Sequence, residues 1–261
     1  MAKACQLFSG SSGNSIFIAD GETKILVDAG VTAKRLEGAL ASIGENANDL
    51  TAVFITHEHS DHIKGLRVFA ARHHLPVIAE EQVLIRLLTD GHITEQQAVT
   101  AERDMELGGL AVLPFENSHD SVACLGYRFN LSDGKSISVC TDTGYITPDA
   151  ELTVPGSDLV FLESNHEIRM LQNGPYPYLL KQRILSRVGH LSNDDCARFA
   201  AALVDSGTTR LVLSHLSREN NFPDIARQTT LAALNTAGFR EDYDFRLKVA
   251  APENREKPII L

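Results

Sequence analysis

The chain has no tryptophan and only four cysteines, Cys5, Cys124, Cys140 and Cys196, none of them in Cys-x-x-Cys spacing. That excludes a dithiol redox motif, a zinc ribbon and a disulfide framework. The four thiols read instead as small reduced side chains for the interior. No apolar run approaches the roughly 20 residues that cross a bilayer. The start, Met1-Ala2-Lys3-Ala4-Cys5-Gln6, does not lead from positive charge into an apolar stretch as a secretion signal would. The expectation is a cytoplasmic protein with no membrane partner. Positive charge is also scarce: 24 Lys and Arg stand against 34 Asp and Glu, for a formal net charge of −10. Such a surface repels polyanions at long range, which excludes non-specific coating of nucleic acid. It leaves room for a nucleic acid substrate at a site where divalent cations reverse the local potential. Linkers, low-complexity tracts and internal repeats are absent too. A chain of 261 residues with 43% hydrophobic content therefore predicts one domain over 1–261 with a large core.

What is present is a run of short β-branched segments punctuated by turns, with helical periodicity added later. Strands are predicted over 4–8, 15–19, 24–28, 52–56, 110–115, 123–130, 136–141, 158–163 and 210–214. Helices are predicted over 36–43, closed by Gly44, and over 63–74, 81–91, 194–205 and 224–237. Residues 9–14 and Asp20-Gly21 read as turns. Many strands with helices mixed in predict an α/β fold, two sheets with helices packed outside, a four-layer αββα sandwich.

The chemistry is concentrated in Thr56-His57-Glu58-His59-Ser60-Asp61-His62, which follows the apolar strand Ala52-Val53-Phe54-Ile55. Three imidazoles and a carboxylate at this spacing suit zinc, manganese or iron. A loop leaving a strand can fan such side chains around a point, whereas a continuing strand sends neighbours to opposite faces. His57 and His59 can share one ion while Asp61 and His62 turn toward a second. His119, Asp142 and His215 each stand where an apolar strand gives way to a polar turn, where sites sit on rigid scaffolds.

This cluster, followed in order by a lone His, a strand-end Asp and a late strand-end His, resembles the metallo-β-lactamase superfamily. The resemblance implies that His57, His59 and His119 hold one metal and Asp61, His62 and His215 the second, with Asp142 bridging them. It also implies that Asp28, ending the strand Ile25-Leu26-Val27, braces the ligand loop from behind. A carboxylate at 142 resembles the glyoxalase and nuclease branches. The spacing from Asp142 to His215 is too short for an inserted β-CASP cap domain, and no helical domain follows His215. Four further stretches resemble the YycJ/WalJ-type bacterial proteins: Ser9-Gly10-Ser11-Ser12-Gly13-Asn14-Ser15, Leu162-Glu163-Ser164-Asn165-His166-Glu167, Gly189-His190-Leu191-Ser192-Asn193, and Leu213-Ser214-His215-Leu216-Ser217. That resemblance implies a dinuclear, metal-dependent phosphodiesterase, a 5′-to-3′ DNA exonuclease with a metal-bridging hydroxide as nucleophile. It also implies DNA as partner, and repair proteins with it.

The residues themselves agree with a phosphate substrate. Ser192, with Asp195 three residues on, predicts a capped helix start, and His190 just before it adds a donor. The 9–15 loop offers backbone amides either to an anion or simply to a tight turn. Asp61, His190 and His166 are the catalytic candidates, and Ser11, Asn14, Asn165 and Asn193 the candidate substrate contacts. Lys181, Arg183 and Arg187, beside Tyr176 and Tyr178, read either as a basic face with stacking rings or as a solvated amphipathic helix. Hydrolysis of a thioester, a lactone or a small cyclic phosphodiester uses the same donors. Iron redox chemistry and a non-catalytic binding module complete the alternatives. Oligomeric state leaves no mark on the sequence.

Overall fold

The computed structural model describes residues 2–261. The chain begins β1 (Lys3–Phe8), β2 (Ser15–Asp20), β3 (Thr23–Val27), α1 (Ala33–Ser42), β4 (Ala52–Phe54), α2 (Ser60–Ile63), α3 (Leu66–Arg72), β5 (Val77–Ala79), α4 (Glu81–Thr89) and β6 (Ala98–Thr100). The second half runs β7 (Met105–Leu107), β8 (Leu110–Glu116), β9 (Leu125–Asn130), β10 (Ser136–Cys140), α5 (Pro148–Thr153), β11 (Leu159–Glu163), α6 (Ile168–Asn173) and α7 (Tyr178–Leu185). It closes with α8 (Asn193–Asp205), β12 (Arg210–Ser214), α9 (Pro223–Thr236), β13 (Arg246–Val249) and β14 (Ile259–Ile260). The strands form two mixed sheets, ordered β14-β1-β2-β3-β4-β5-β6 and β13-β12-β11-β10-β9-β8-β7.

Alternation along each strand sorts the side chains into three apolar layers. In β3, Ile25 and Val27 face the other sheet while Leu26 faces outward; in β4, Phe54 and Val53 divide the same way. Across the gap Val112, Tyr127, Phe129, Val139, Phe161 and Val212 complete the central layer. The outward residues of the first sheet pack on Leu36 and Leu40 of α1, Phe69 of α3 and Leu87 of α4. Those of the second pack on Ala150 of α5, Phe199 and Leu203 of α8 and Leu234 of α9. Three apolar layers between four structural ones are the αββα sandwich that the sequence predicts. Because central strands such as β10, β11 and β12 are covered on both faces, they read in sequence as unbroken apolar runs. The four cysteines are free and buried, and burial pushes the Cys5 thiol up to about 11 and that of Cys196 to about 12. No helix among the described residues is long and apolar enough to cross a membrane.

Some boundaries move. The helix predicted over 63–74 is broken into α2 and α3 at Gly65, whose amide donates to the Ala29 carbonyl at 2.8 Å. A Cβ there would lie 2.0 Å from the Val31 carbonyl oxygen, so the chain crosses residues 29–31 too closely for a side chain. The strand predicted from 123 begins at Leu125, whose amide is taken by the Thr56 carbonyl at 3.0 Å. With the Tyr127 hydroxyl donating to the Ile55 carbonyl at 2.8 Å, that bond fastens the two sheets together beside the ligand loop.

Parallel pairing decides where the site lies. β3 and β4 are parallel neighbours in one sheet, and β10, β11 and β12 in the other. Their carboxyl ends deliver Asp28, the 55–62 loop, Asp142, Glu163 and His215 to one edge of the sandwich. That edge is where ligands sit in open α/β sheets.

Candidate metal centre

Three of these strand-end residues have left-handed backbones: Asp28 at φ +66°, Asp142 at +60° and His215 at +56°. For residues with a Cβ this conformation is disfavoured and persists only where the surroundings enforce it. Here it turns the chain sharply as each strand ends.

The structure brings all seven sequence-predicted ligands together. Donor atoms of His57, His59 and His119 lie within 4.8 Å of one another, as do those of His57, His62 and Asp142, and those of Asp61, His62 and His215. The His59 Nδ1 and His119 Nε2 atoms are 3.3 Å apart, and His62 Nε2 is 3.4 Å from Asp142 Oδ2. Asp61 Oδ2 stands 3.7 Å from His215 Nε2. His57, His62, Asp142 and His215 are each at most 3% exposed. Yet His57 Nε2, Asp142 Oδ2 and His215 Nε2 have no hydrogen-bond partner. A buried unpaired polar atom costs about 1–3 kcal/mol, so three such atoms among these clustered donors call for partners that accept their lone pairs. Imidazole nitrogens and carboxylate oxygens without thiolate are the donors that zinc, manganese or iron take, and the residues fit such an ion.

The carboxylates at this edge favour positive charge among the rings. Burial lowers the His62 ring, but the carboxylates of Asp28, Asp142 and Asp61 outweigh it and push it up to about 9. Burial and the surrounding imidazoles of His62, His119 and His59 drive His57 well below its ordinary value. Burial would raise the Asp61 carboxyl, but the nearby His62 and His215 rings hold it well below the carboxylate range.

Two of the rings are also held from behind. The His62 Nδ1–H donates to Asp28 Oδ2 at 2.7 Å, and Asp28 Oδ1 accepts the Thr56 amide at 2.9 Å. The His119 Nδ1–H donates to the Gly189 carbonyl at 3.0 Å, leaving Nε2 for the centre. Asp28 therefore braces the loop, as the sequence suggests, and is no ligand candidate. Asp28→Asn, which keeps shape and tolerance of the left-handed backbone, is expected to weaken metal binding about 10- to 100-fold. Competition with a chelator measures this; unchanged affinity would remove Asp28 from the support of the site.

Sequence reasoning missed Glu163. It ends β11, is fully buried, and accepts from His190 Nδ1 at 2.8 Å and His215 Nδ1 at 2.9 Å, besides the amides of Thr143 and Leu191. A carboxylate closing an all-apolar strand, Leu159-Val160-Phe161-Leu162-Glu163, is the signal that Asp28 and Asp142 also carry. Its acid is held well below the usual range: burial opposes ionisation, and the charge and bonds of His190 and His215 overcome it.

A pocket of about 220 Å³ opens over the centre, lined in part by Ser11, Asn165, Tyr176, Arg183, His190 and Ser217. Of the predicted substrate contacts, Ser11 and Asn165 line it. Asn14 and Asn193 are spent inside the protein. Asn14 binds Asp61, His62 and the Gly10 amide, and Asn193 binds Ser164 and Asn221. His190 lines the pocket, its ring 5.0 Å from that of His119. His166 does not: it is 1% exposed beside Ser192, and burial takes its ring down to about 4. Burial therefore disfavours the charged ring that a general acid needs. Of the basic segment, Arg183 pairs with Asp120, Lys181 binds the Gln172 carbonyl and Arg187 lies over the Tyr145 ring.

Residues 23–216 match the family model described as the beta-lactamase superfamily domain. The chain is 36% identical over 250 residues to the exodeoxyribonuclease YycJ of Bacillus anthracis, covering 95% of this chain and 94% of that one. It is likewise 36% identical over 252 residues to the exodeoxyribonuclease WalJ of Streptococcus pneumoniae, covering 95% and 93%. The fold matches the crystal structure of the metallo-beta-lactamase fold protein YhfI from Bacillus subtilis with a TM-score of 0.71, at 17% identity over 97% and 98% of the two chains.

Proposed function

The chain belongs to the beta-lactamase superfamily and is a metal-dependent hydrolase, and we propose that it is a dinuclear 5′-to-3′ DNA exonuclease. The observation that carries this reading is a full donor set in a chain alike along 95% of its length to proteins named exodeoxyribonucleases. His57, His59 and His119 would hold one ion and Asp61, His62 and His215 the other, with Asp142 available to both, in a single domain without an inserted cap. When bound, a pair of zinc, manganese or iron ions supplies Lewis acidity and lowers the pKa of water toward neutrality.

The chain's own residues then divide the remaining work. The scissile phosphodiester enters the pocket that His59, Asp61, His119 and Asp142 floor. Asp61, kept ionised by His62 and His215 and steadied by Asn14 at 3.3 Å, orients the attacking water. His190 is anchored through Nδ1 to Glu163, which leaves Nε2 as the nitrogen free for substrate, and it donates a proton to the departing oxygen. Glu163 thus positions both the proton donor His190 and the ligand His215. Tyr176, Leu180 and Ile184 form an apolar wall on one side of the pocket, suited to a nucleobase.

The pocket volume of about 220 Å³ suits one nucleotide unit, which fits release of mononucleotides from an end. It also admits a small cyclic phosphodiester, the second reading. Manganese-loaded protein should release the 5′ label from single-stranded DNA as mononucleotide before the 3′ label shortens, and His59→Ala should release none. Hydrolysis of bis-p-nitrophenyl phosphate without attack on DNA would transfer the assignment to small phosphodiesters.

A further inference from the structure

The turn at residues 9–14 is locked to both ligand-bearing loops. The Asn14 amide donates to the Asp61 carbonyl at 2.8 Å, the Asn14 side chain reaches His62 Nε2 at 3.0 Å, and the His215 amide donates to Ser9 Oγ at 2.8 Å. Gly13 lets this happen: it sits at φ +149°, and a Cβ there would meet Val31 at 2.3 Å and the Gly30 carbonyl at 2.7 Å. The tip of the turn, Ser11-Ser12, is exposed, and neither amide makes a hydrogen bond among the described residues. Ser11 lines the catalytic pocket. Arg218, three residues beyond His215, reaches across to donate to Ser12 Oγ at 2.6 Å. It makes no ion pair among the described residues, although acids outnumber bases in the chain.

We propose that Arg218 and the Ser11-Ser12 turn form a subsite for a second, non-scissile phosphate of the bound strand. The inference rests on the nuclease reading above and deepens it. A guanidinium, two exposed amides and two hydroxyls are gathered beside the pocket that Ser11 lines, and this donor set suits phosphate oxygens. The Ser12 bond holds the guanidinium at the rim, so less freedom is lost when an anion binds. Because Arg218 follows His215 in one loop and the Ser11-Ser12 turn is bonded through Asn14 to the loop that carries Asp61, a phosphate held here keeps the strand in register with the metal centre. The apolar wall of Tyr176, Leu180 and Ile184 and the polar rim together orient a nucleotide unit in the pocket.

The test compares steady-state kinetics of Arg218→Gln and the unaltered protein on single-stranded DNA and on bis-p-nitrophenyl phosphate, which has one phosphate and cannot reach the rim. KM for DNA should rise about tenfold with kcat little changed, as expected for loss of a charge-assisted contact. The slope of log KM against log salt should become shallower by about 0.7, the value of one single-strand phosphate contact. Arg218→Lys should restore most of the salt slope, and the small ester should be cleaved at nearly the original kcat/KM. Equal losses on both substrates would overturn the subsite and make Arg218 a strut for the turn; an unchanged KM and salt slope for DNA would overturn it as well. An unaltered protein that cleaves the ester but not DNA refutes the exonuclease reading itself and takes the subsite with it. Protein that cuts DNA normally with Gln at 218 refutes the subsite alone.

Discussion

Asp142→Asn should lose about a thousandfold or more in kcat/KM, on DNA and on bis-p-nitrophenyl phosphate alike, while remaining folded. The size follows from charge: on the proposed assignment the carboxylate serves two cations, its removal costs several kcal/mol of their stabilisation, and about 4 kcal/mol is a thousandfold. Folding should survive because Asn has nearly the same shape as Asp and tolerates the left-handed backbone that this residue adopts at φ +60°. The neighbours make the charge hard to replace. Asp142 is 1% exposed, His215 Nδ1 stands 3.2 Å from its Oδ1, and its Oδ2 has no protein donor. Elemental analysis should find fewer ions per chain than in the unaltered protein. Full metal content with full activity in this variant would sink the assignment of Asp142 as the shared ligand.

Gly30→Ala should disable the centre without touching a ligand. A Cβ on Gly30 would lie 1.7 Å from the Asp61 carbonyl oxygen and 2.4 Å from the Asn14 amide nitrogen. Both are backbone atoms, in a segment that cannot swing aside like the end of a flexible side chain. The Gly30 amide itself donates to the Asn14 carbonyl at 2.9 Å, and the Asn14 amide to Asp61 at 2.8 Å. One methyl therefore pushes apart the 9–14 turn and the loop that carries Asp61 and His62. The expected cost is about 3 kcal/mol of stability, the upper end for overpacking, with loss of metal stoichiometry. Gly38→Ala supplies the contrast: it lies within α1, nothing stands within 4 Å of its added Cβ, and it should stabilise by about 0.5–1 kcal/mol. Denaturant unfolding and metal analysis on the pair measure both. A Gly30→Ala protein as stable and metal-rich as its parent would mean that the close approach at residue 30 does not hold the site together.

Much of this protein is legible along the chain because its signals are local. The spacing of His57, His59, Asp61 and His62 after an apolar strand, and the strand-end places of His119, Asp142 and His215, locate the centre without any knowledge of the fold. The long buried strands and the amphipathic helices give the layered architecture, since periodicity of 2 or 3.6 residues needs only a few turns or pleats to be read. The strands β5, β6, β7, β13 and β14 are two to four residues long and carry too little periodicity to announce themselves. They exist because a neighbour supplies their hydrogen bonds: β14 forms only by pairing Ile259 and Ile260 with Ala4 and Lys3 at the other end of the chain.

The same division runs through the site. Residue type alone determined which side chains can bind a divalent cation, because imidazole and carboxylate have few other reasons to crowd at the ends of apolar strands. What each polar residue does next was decided by tertiary structure. Asn14 and Asn193 turn inward as braces, His166 is sealed from the pocket while His190 opens onto it, and Glu163 holds His190 and His215 together. These assignments depend on which groups meet across 27 residues, from Glu163 to His190, or 52, from Glu163 to His215. No local pattern encodes such meetings. A side chain's chemistry is a property of its own atoms, but its role is set by the partner left free to it once the backbone has closed.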